Sequence, residues 1–256
     1  MQTETNLKMK GAHFIDASSK VYENSENEVW AELYRRRMKS LPEQACEAYL
    51  EGLDKLQMPG HRIPRQEELS SRLHDLTGWS MQAVDGFVPA RIFFDSFAGR
   101  TFPATVEVRP WEQLEYLQEP DVFHDVFGHL PMHTDPVFAD FAQEYGQLAS
   151  SIDDEDHFDA LGRLYWYTVE FGLIRENGEF KLYGAGLMSS LGEAAQVFEG
   201  GPEIRPFDLD EVISTPFRID IYQPLLFVID DFDQLLDAVD TLRSRWQVGA
   251  RTSPSA

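Results

Sequence analysis

The chain is best interpreted from one stretch, EPDVFHDVFGHLP at residues 119–131. Two of the seven histidines, His124 and His129, lie five residues apart in it. Five residues of a regular α-helix turn through about 500°, so the two rings would point about 140° apart. We therefore expect the helix to end at Gly128, ahead of Pro131, so that His129 can turn back beside His124.

A carboxylate completes a candidate metal site. Glu170 lies in the apolar run YWYTVEFG, within a helix predicted at 156–172, where Gly162, Trp166 and Glu170 share nearly one face. A carboxylate in so apolar a run is costly to bury unless it is paired or binds a metal. Two imidazoles and one carboxylate, with no thiolate nearby, are typical of non-haem iron(II) that activates oxygen.

Other interpretations of these residues stay open at this point. Both histidines could be core or capping residues, and two histidines with one glutamate also bind zinc in some hydrolases. The His-Glu-x-x-His pattern is absent, and Asp125 is the one candidate for a hydrolytic base. A catalytically idle metal-binding protein is a further alternative. His133 and His157 lack a motif around them and are expected at solvent-exposed loop positions.

Composition narrows the class of protein. The 256 residues carry a net charge of −22. This charge repels nucleic acid and anionic membranes, so we expect neither of them as a partner. The single cysteine, Cys46, allows no internal disulfide and is expected to be a buried helical residue. The polar N-terminus lacks an apolar signal core, and no apolar run is long enough to span a membrane. We therefore expect a cytoplasmic protein.

The hydrophobic pattern predicts one mainly α catalytic domain of packed helices with short β-strands, at residues 25–247. Loose segments are expected at 1–24 and 248–256. Helices are predicted at 26–40, 42–56, from Pro64 to just before Gly78, and at 119–128, 136–150, 156–172, 189–199 and 231–246. Short strands are predicted at 102–108, 180–183 and 226–229.

Three motifs resemble, in order and spacing, those of the pterin-dependent aromatic amino acid hydroxylases. They are residues 118–131, 165–172 and YGAGLMSSLGE at 183–193. The likeness extends through Ile63-Pro64, LTGW and YQPL to cover about residues 25–245. It implies the fold of that family and hydroxylation of an aromatic amino acid ring with Fe(II), a tetrahydropterin and O2.

The resemblance also implies roles for individual residues. Arg109 would clamp the substrate carboxylate and Asp121 would orient it, as suits the bidentate fork of a guanidinium. The implied metal ligands are His124, His129 and Glu170. The other implied substrate contacts are Pro120, Trp166, Gly186, Ser189 and the face of His124. The implied pterin-side residues are Phe93, which stacks on the pterin, with Val88, Ala90, Asp125 and Gly162.

Some positions depart from the family pattern. Asp125 stands where the animal enzymes have Glu, Leu117 replaces a hydroxyl-bearing residue, and Ala90 lacks a hydroxyl found in some relatives. The regulatory domain and tetramerisation helix of the animal enzymes have no counterpart in this sequence, which implies a monomer without allosteric control. L-Phenylalanine is the expected substrate, giving L-tyrosine, and the alternative is tryptophan or another ring position.

Overall fold

The fold is mainly α, as predicted. A computed structural model describes residues 13–14, 20–86, 88–114 and 120–248. The helices are α1 Asn24–Arg37, α2 Leu41–Gln44, α3 Glu47–Lys55, α4 Gln66–Thr77, α5 Ala90–Ala98, α6 Pro136–Ser150, α7 Glu155–Tyr165, α8 Ala185–Ser189, α9 Leu191–Phe198, α10 Leu209–Ser214 and α11 Asp233–Arg245. The strands are β1 His13–Phe14, β2 Ser80–Asp85, β3 Thr101–Thr105, β4 Leu173–Glu176, β5 Glu179–Leu182, β6 Glu203–Pro206 and β7 Leu225–Ile229.

Two small sheets flank the helices. The first has the order β1-β2-β3, in which β2 and β3 run parallel and are connected by α5. The second has the order β5-β4-β7-β6. Its β4–β5 hairpin turns at Asn177-Gly178, where φ is 52° and 84°, as a two-residue hairpin turn requires. The first sheet matters most for the site, because the chain leaves β3 toward Arg109.

Several predicted helix boundaries are confirmed, and two predicted helices are interrupted. Helix α4 ends where expected, since Gly78 adopts a left-handed φ of 76° just beyond it. The predicted helix 42–56 breaks at Cys46, whose N–H donates to the carbonyl of Leu182 at 2.9 Å. Cys46 is fully buried, as predicted, but it lies between α2 and α3. The predicted helix 189–199 breaks at Ser190, whose side chain caps α9.

The prediction that His133 and His157 are exposed loop residues is wrong. His133 is only 1% exposed, and its ring packs edge-on against Trp79 with 4.4 Å between centroids. A short turn after Pro131 carries His133 into the aromatic core, where burial lowers its pKa to about 3 and keeps it neutral. His157 lies half-buried in α7 and stacks on Trp246 at 4.5 Å.

The predicted domain boundaries stay a prediction. Residues 13–14 of the expected loose N-terminal segment form β1, which pairs with β2. The rest of that segment up to residue 19, residues 249–256 and Leu117 lie outside the described residues. Within the described ranges, the helices are all too short or too polar to cross a bilayer.

Candidate metal centre and substrate pocket

A π-helical turn, Phe123–His129, carries the two histidines. Backbone bonding in a π-helix runs from residue i to i+5, so residues five apart lie on the same side. His124 and His129 therefore face each other, with 3.2 Å between their Nε2 atoms. The expectation that the helix ends at Gly128 is wrong, because the turn widens and continues through His129.

Neighbouring groups stabilise this wide turn. In an α-helix the carbonyl of Phe127 would accept from the residue four positions on, but Pro131 has no N–H to donate. The buried hydroxyl of Tyr49 donates to that carbonyl instead, at 2.5 Å. A Cβ on Gly128 would lie 2.9 Å from the carbonyl oxygen of Ala185, so only glycine lets α8 pack this closely.

A second π-helical turn, Trp166–Glu170, extends α7 and carries the carboxylate. Glu170 Oε1 lies 3.2 Å from His129 Nε2, and Oε2 lies 3.5 Å from His124 Nε2. The ligand atoms of the three residues all fall within 4.8 Å of one another. Among the described residues this is the one cluster of three or more potential ligands that could hold a metal ion.

The hydrogen bonds of His124 show that these residues fit a metal ion. The hydroxyl of Ser189 donates to the carbonyl of Ala185 at 2.9 Å, so it accepts at 2.9 Å from the Nδ1–H of His124. That bond fixes the tautomer and leaves a lone pair on His124 Nε2. This lone pair faces Glu170 and His129, an arrangement that a divalent cation would stabilise.

Two of the candidate ligands, His124 and Glu170, carry the charges that metal binding requires. Burial lowers the pKa of His124 to about 4, so its imidazole is neutral at neutral pH. Burial acts to raise the pKa of Glu170, but His129 and His124 together outweigh it, and the pKa is lowered overall. Neutral imidazole and ionised carboxylate are the forms that bind metals.

Arg109 and Asp121 form a buried, bidentate ion pair beside the centre. Arg109 Nε donates to Asp121 Oδ2 at 2.7 Å, and Nη2 donates to Oδ1 at 2.8 Å. The same carboxylate accepts from the backbone N–H of His124 at 3.0 Å. Asp121 thus connects the guanidinium to the turn that carries His124, a candidate metal ligand. Within the part of the chain that the structure describes, Nη1 of Arg109 makes no hydrogen bond, so it is available to another carboxylate.

Trp166 and Gly186 both lie close to Glu170: Trp166 is on the same π-helical turn, and a Cβ on Gly186 would lie 3.0 Å from the Glu170 carbonyl oxygen. The ring of Trp166 is half-buried, stacks on Phe217 at 4.3 Å and is tilted against Phe171 at 4.7 Å. A Cβ on Gly186 would approach the ring of Phe171 to 2.7 Å, so glycine lets α8 approach this part of the chain. Pro120, the remaining predicted ring contact, is exposed.

The predicted pterin-side residues are spread around β3, α5 and α7. Phe93 is half-buried and packs against other aromatic rings, including Phe97 at 4.9 Å. A Cβ on Gly162 would meet open space. Asp125 Oδ2 accepts from the backbone N–H of Thr105 at 2.7 Å, and burial raises the Asp125 pKa to about 7. The remaining predicted pterin-side residues are Ala90, which begins α5, and Val88, which lies two residues before it.

Sequence reasoning missed two side chains that support Trp166. It named Ser189 for the substrate pocket, which stays a prediction, and did not anticipate the bond of Ser189 to His124. Gln223 and Glu193 form a buried chain of hydrogen bonds to Trp166. Of these two residues, only Glu193 has a sequence pattern that could have indicated its role. It is a carboxylate in the apolar stretch LGEAA, as Glu170 is in its own apolar run.

The fold and the three converging side chains define the class of protein, one whose two histidines and one carboxylate are placed so that they could hold a metal ion. Residues 4–247 match the model of a family described as biopterin-dependent aromatic amino acid hydroxylase. The chain belongs to this family.

Relatives in bacteria and animals resemble the chain over most of its length. It is 44% identical over 218 residues to a phenylalanine-4-hydroxylase of Chromobacterium violaceum, covering 85% of this chain and 73% of that protein. A crystal structure of the C. violaceum enzyme with iron(III) and 7,8-dihydrobiopterin matches with a TM-score of 0.86 and 40% identity, over 94% of this chain and 91% of that one. A bovine tyrosine 3-monooxygenase is 39% identical over 227 residues, 87% of this chain and 45% of that protein.

Proposed function

We propose that this protein hydroxylates the ring of L-phenylalanine to give L-tyrosine, using Fe(II), a tetrahydropterin and O2. The observation that carries the proposal is the convergence of His124, His129 and Glu170 within 4.8 Å. The buried pair of Arg109 and Asp121 adds a carboxylate clamp joined to that centre. Membership of the biopterin-dependent family supports the pterin and the aromatic substrate.

The residues have separate tasks in this reaction. His124, His129 and Glu170 would hold the iron, which with the reduced pterin would supply the chemistry that activates O2 for insertion of one oxygen atom into the ring. Arg109 binds the substrate carboxylate, while Asp121 fixes the direction of the guanidinium. The remaining proposed ring contacts are Pro120, Trp166, Gly186, Ser189 and the face of His124. The proposed pterin contacts are Phe93, Val88, Ala90, Asp125 and Gly162.

The alternatives from other classes have less support. A zinc hydrolase would use Asp125 as its base, but Asp125 is buried and already accepts from the backbone of Thr105. An idle binding protein would not need the intact ligand set together with the Arg109 clamp. Monomeric state and cytoplasmic location stay predictions.

The hydrogen bonds around the pocket favour phenylalanine over tyrosine and tryptophan. The indole N–H of Trp166 is bonded to Gln223, and the hydroxyl of Ser189 is bonded to Ala185 and His124. A phenol or a substrate indole would therefore bury a polar group without an evident partner, at about 1–3 kcal/mol. An apolar pocket discriminates only to a limited extent against an added hydroxyl.

We expect phenylalanine to exceed tyrosine and tryptophan by roughly 10- to 100-fold in kcat/KM, since about 1.4 kcal/mol corresponds to one decade. The experiment is a competition among equal concentrations of the three amino acids, with Fe(II), tetrahydropterin and O2, in which products are identified by chromatography and mass. The phenylalanine carries a carbon-13 label in its ring, so that the tyrosine formed differs in mass from the tyrosine added. Tyrosine should be the main product. Hydroxylated tryptophan formed as fast as tyrosine would contradict the substrate assignment and leave the reaction class standing.

A further inference from the structure

One buried side chain fixes the edge of the Trp166 ring. The indole N–H donates to Oε1 of Gln223 at 2.9 Å. Gln223 is 7% exposed, although its neighbours Tyr222 and Pro224 are exposed. Burying a polar side chain destabilises the folded state unless the hydrogen bonds of that side chain are satisfied.

The other bonds of Gln223 determine which end of its amide faces Trp166. Nε2 donates to the carbonyls of Arg218 and Ile221, at 2.9 and 3.0 Å. Both of those partners accept only, so the amide oxygen must lie on the side of the indole N–H. The backbone N–H of Gln223 donates to the buried carboxylate of Glu193 at 2.7 Å. The position of Gln223 is therefore fixed from both the backbone and the side chain.

The segment that Gln223 secures also contacts the face of the indole. Phe217 stacks on Trp166 with 12° between the ring planes, yet it is 37% exposed. Ile219 in the same segment is 60% exposed. Phe217 and Phe171 pack against the indole without fixing the direction of its N–H, whereas the hydrogen bond to Gln223 is directional and constrains the angle of the ring.

We propose that Gln223 is a positioning residue for the aromatic substrate, which acts by setting the orientation of Trp166, with Glu193 holding its backbone in place. This inference rests on the proposed role of Trp166 beside the substrate ring. Trp166 lies four residues before the metal ligand Glu170, on the same π-helical turn. A rotation of the indole would therefore change where the substrate ring lies relative to the metal.

Replacing Gln223 by Leu should raise the KM for phenylalanine by about 10-fold, because small errors in substrate position are costly for the reaction. The same substitution should also lower the amount of tyrosine formed per molecule of pterin oxidised. Iron content should equal that of the wild type, because none of the three ligands is changed. Gln66→Leu is the matched control, because the Gln66 amide donates to the carbonyl of Met81 at 3.0 Å. Loss of that hydrogen bond should leave the KM and the tyrosine-to-pterin ratio unchanged.

A double-mutant cycle separates positioning from general damage. Trp166→Phe should itself raise the KM, and in that background Gln223→Leu should add nothing, because the hydrogen bond is already lost. Equal effects of Gln223→Leu in both backgrounds, or an unchanged KM for Gln223→Leu alone, would overturn the inference and leave the proposed function intact. An unchanged KM for Trp166→Phe would instead remove the proposed role of Trp166, and this inference with it. Should Gln223→Leu not fold, Gln223→Met serves in the same cycle, since its flexible side chain adapts to the same space.

Discussion

Replacing Glu170 by Gln should weaken iron binding at least ~100-fold and abolish tyrosine formation. Glu170 is the only anionic member of the three-residue cluster, and Gln would leave a divalent cation with neutral ligands alone. Partners that merely orient a metal ligand are typically worth about 10- to 100-fold in affinity, so loss of the ligand itself should cost no less. This is the largest effect expected from a single substitution in the chain.

Iron content after dialysis, the melting temperature with and without added metal, and tyrosine formation check this prediction together. A ligand that binds only the folded state stabilises it by about 2.7 kcal/mol at 100 times its Kd, so the wild type should melt higher with metal and Glu170→Gln should not. Glu144→Gln is the control, because it removes a half-buried carboxylate of α6 that is paired with Arg243 of α11. A Glu170→Gln protein with full iron and turnover would show that Glu170 is not a ligand.

Replacing Arg109 by Lys should raise the KM for phenylalanine strongly while iron stays bound. An ammonium group cannot reproduce the two parallel bonds that the guanidinium makes to Asp121, nor present a fixed nitrogen to a substrate carboxylate. We expect a loss of about 2–4 kcal/mol in kcat/KM, in the range for a buried, charge-assisted pair. That corresponds to roughly 30- to 1,000-fold.

Steady-state kinetics with phenylalanine and iron analysis of the same preparations test this second prediction. Arg35→Lys is the matched control, because Arg35 makes a similar two-bond contact with Glu32, at 2.8 and 2.7 Å, on the exposed side of α1. That change should leave the kinetics untouched. An Arg109→Lys protein with an unchanged KM and a lower melting temperature would assign Arg109 to a structural role only.

The helical framework could be predicted because its signals are local. The helix predicted at 136–150 is found at those bounds, since Pro136 begins it and Asp135 caps it. The end of α4 follows from Gly78 alone. Periodicity and caps depend on neighbours in sequence, so a single chain is enough to place them.

The geometry of the metal centre could not be derived in the same way. Two ligands five residues apart point in different directions on an α-helix. From the sequence we therefore predicted that the helix ends at Gly128. The actual solution, a π-helical turn, depends on the Tyr49 hydroxyl, 78 residues away from Phe127 in sequence. Contacts of that kind leave no periodic signal. The buried position of His133 and the bond between Trp166 and Gln223 were missed for the same reason.

We propose that His124, His129 and Glu170 bind iron for pterin-dependent hydroxylation of phenylalanine. The most direct measurement is tyrosine formation by metal-free protein reloaded with either Fe(II) or Zn(II), in the presence of tetrahydropterin, O2 and phenylalanine. We expect one Fe(II) bound per chain and tyrosine formed only by the iron-loaded protein. Binding of Fe(II) without any tyrosine, or equal tyrosine formation with Zn(II), would contradict it.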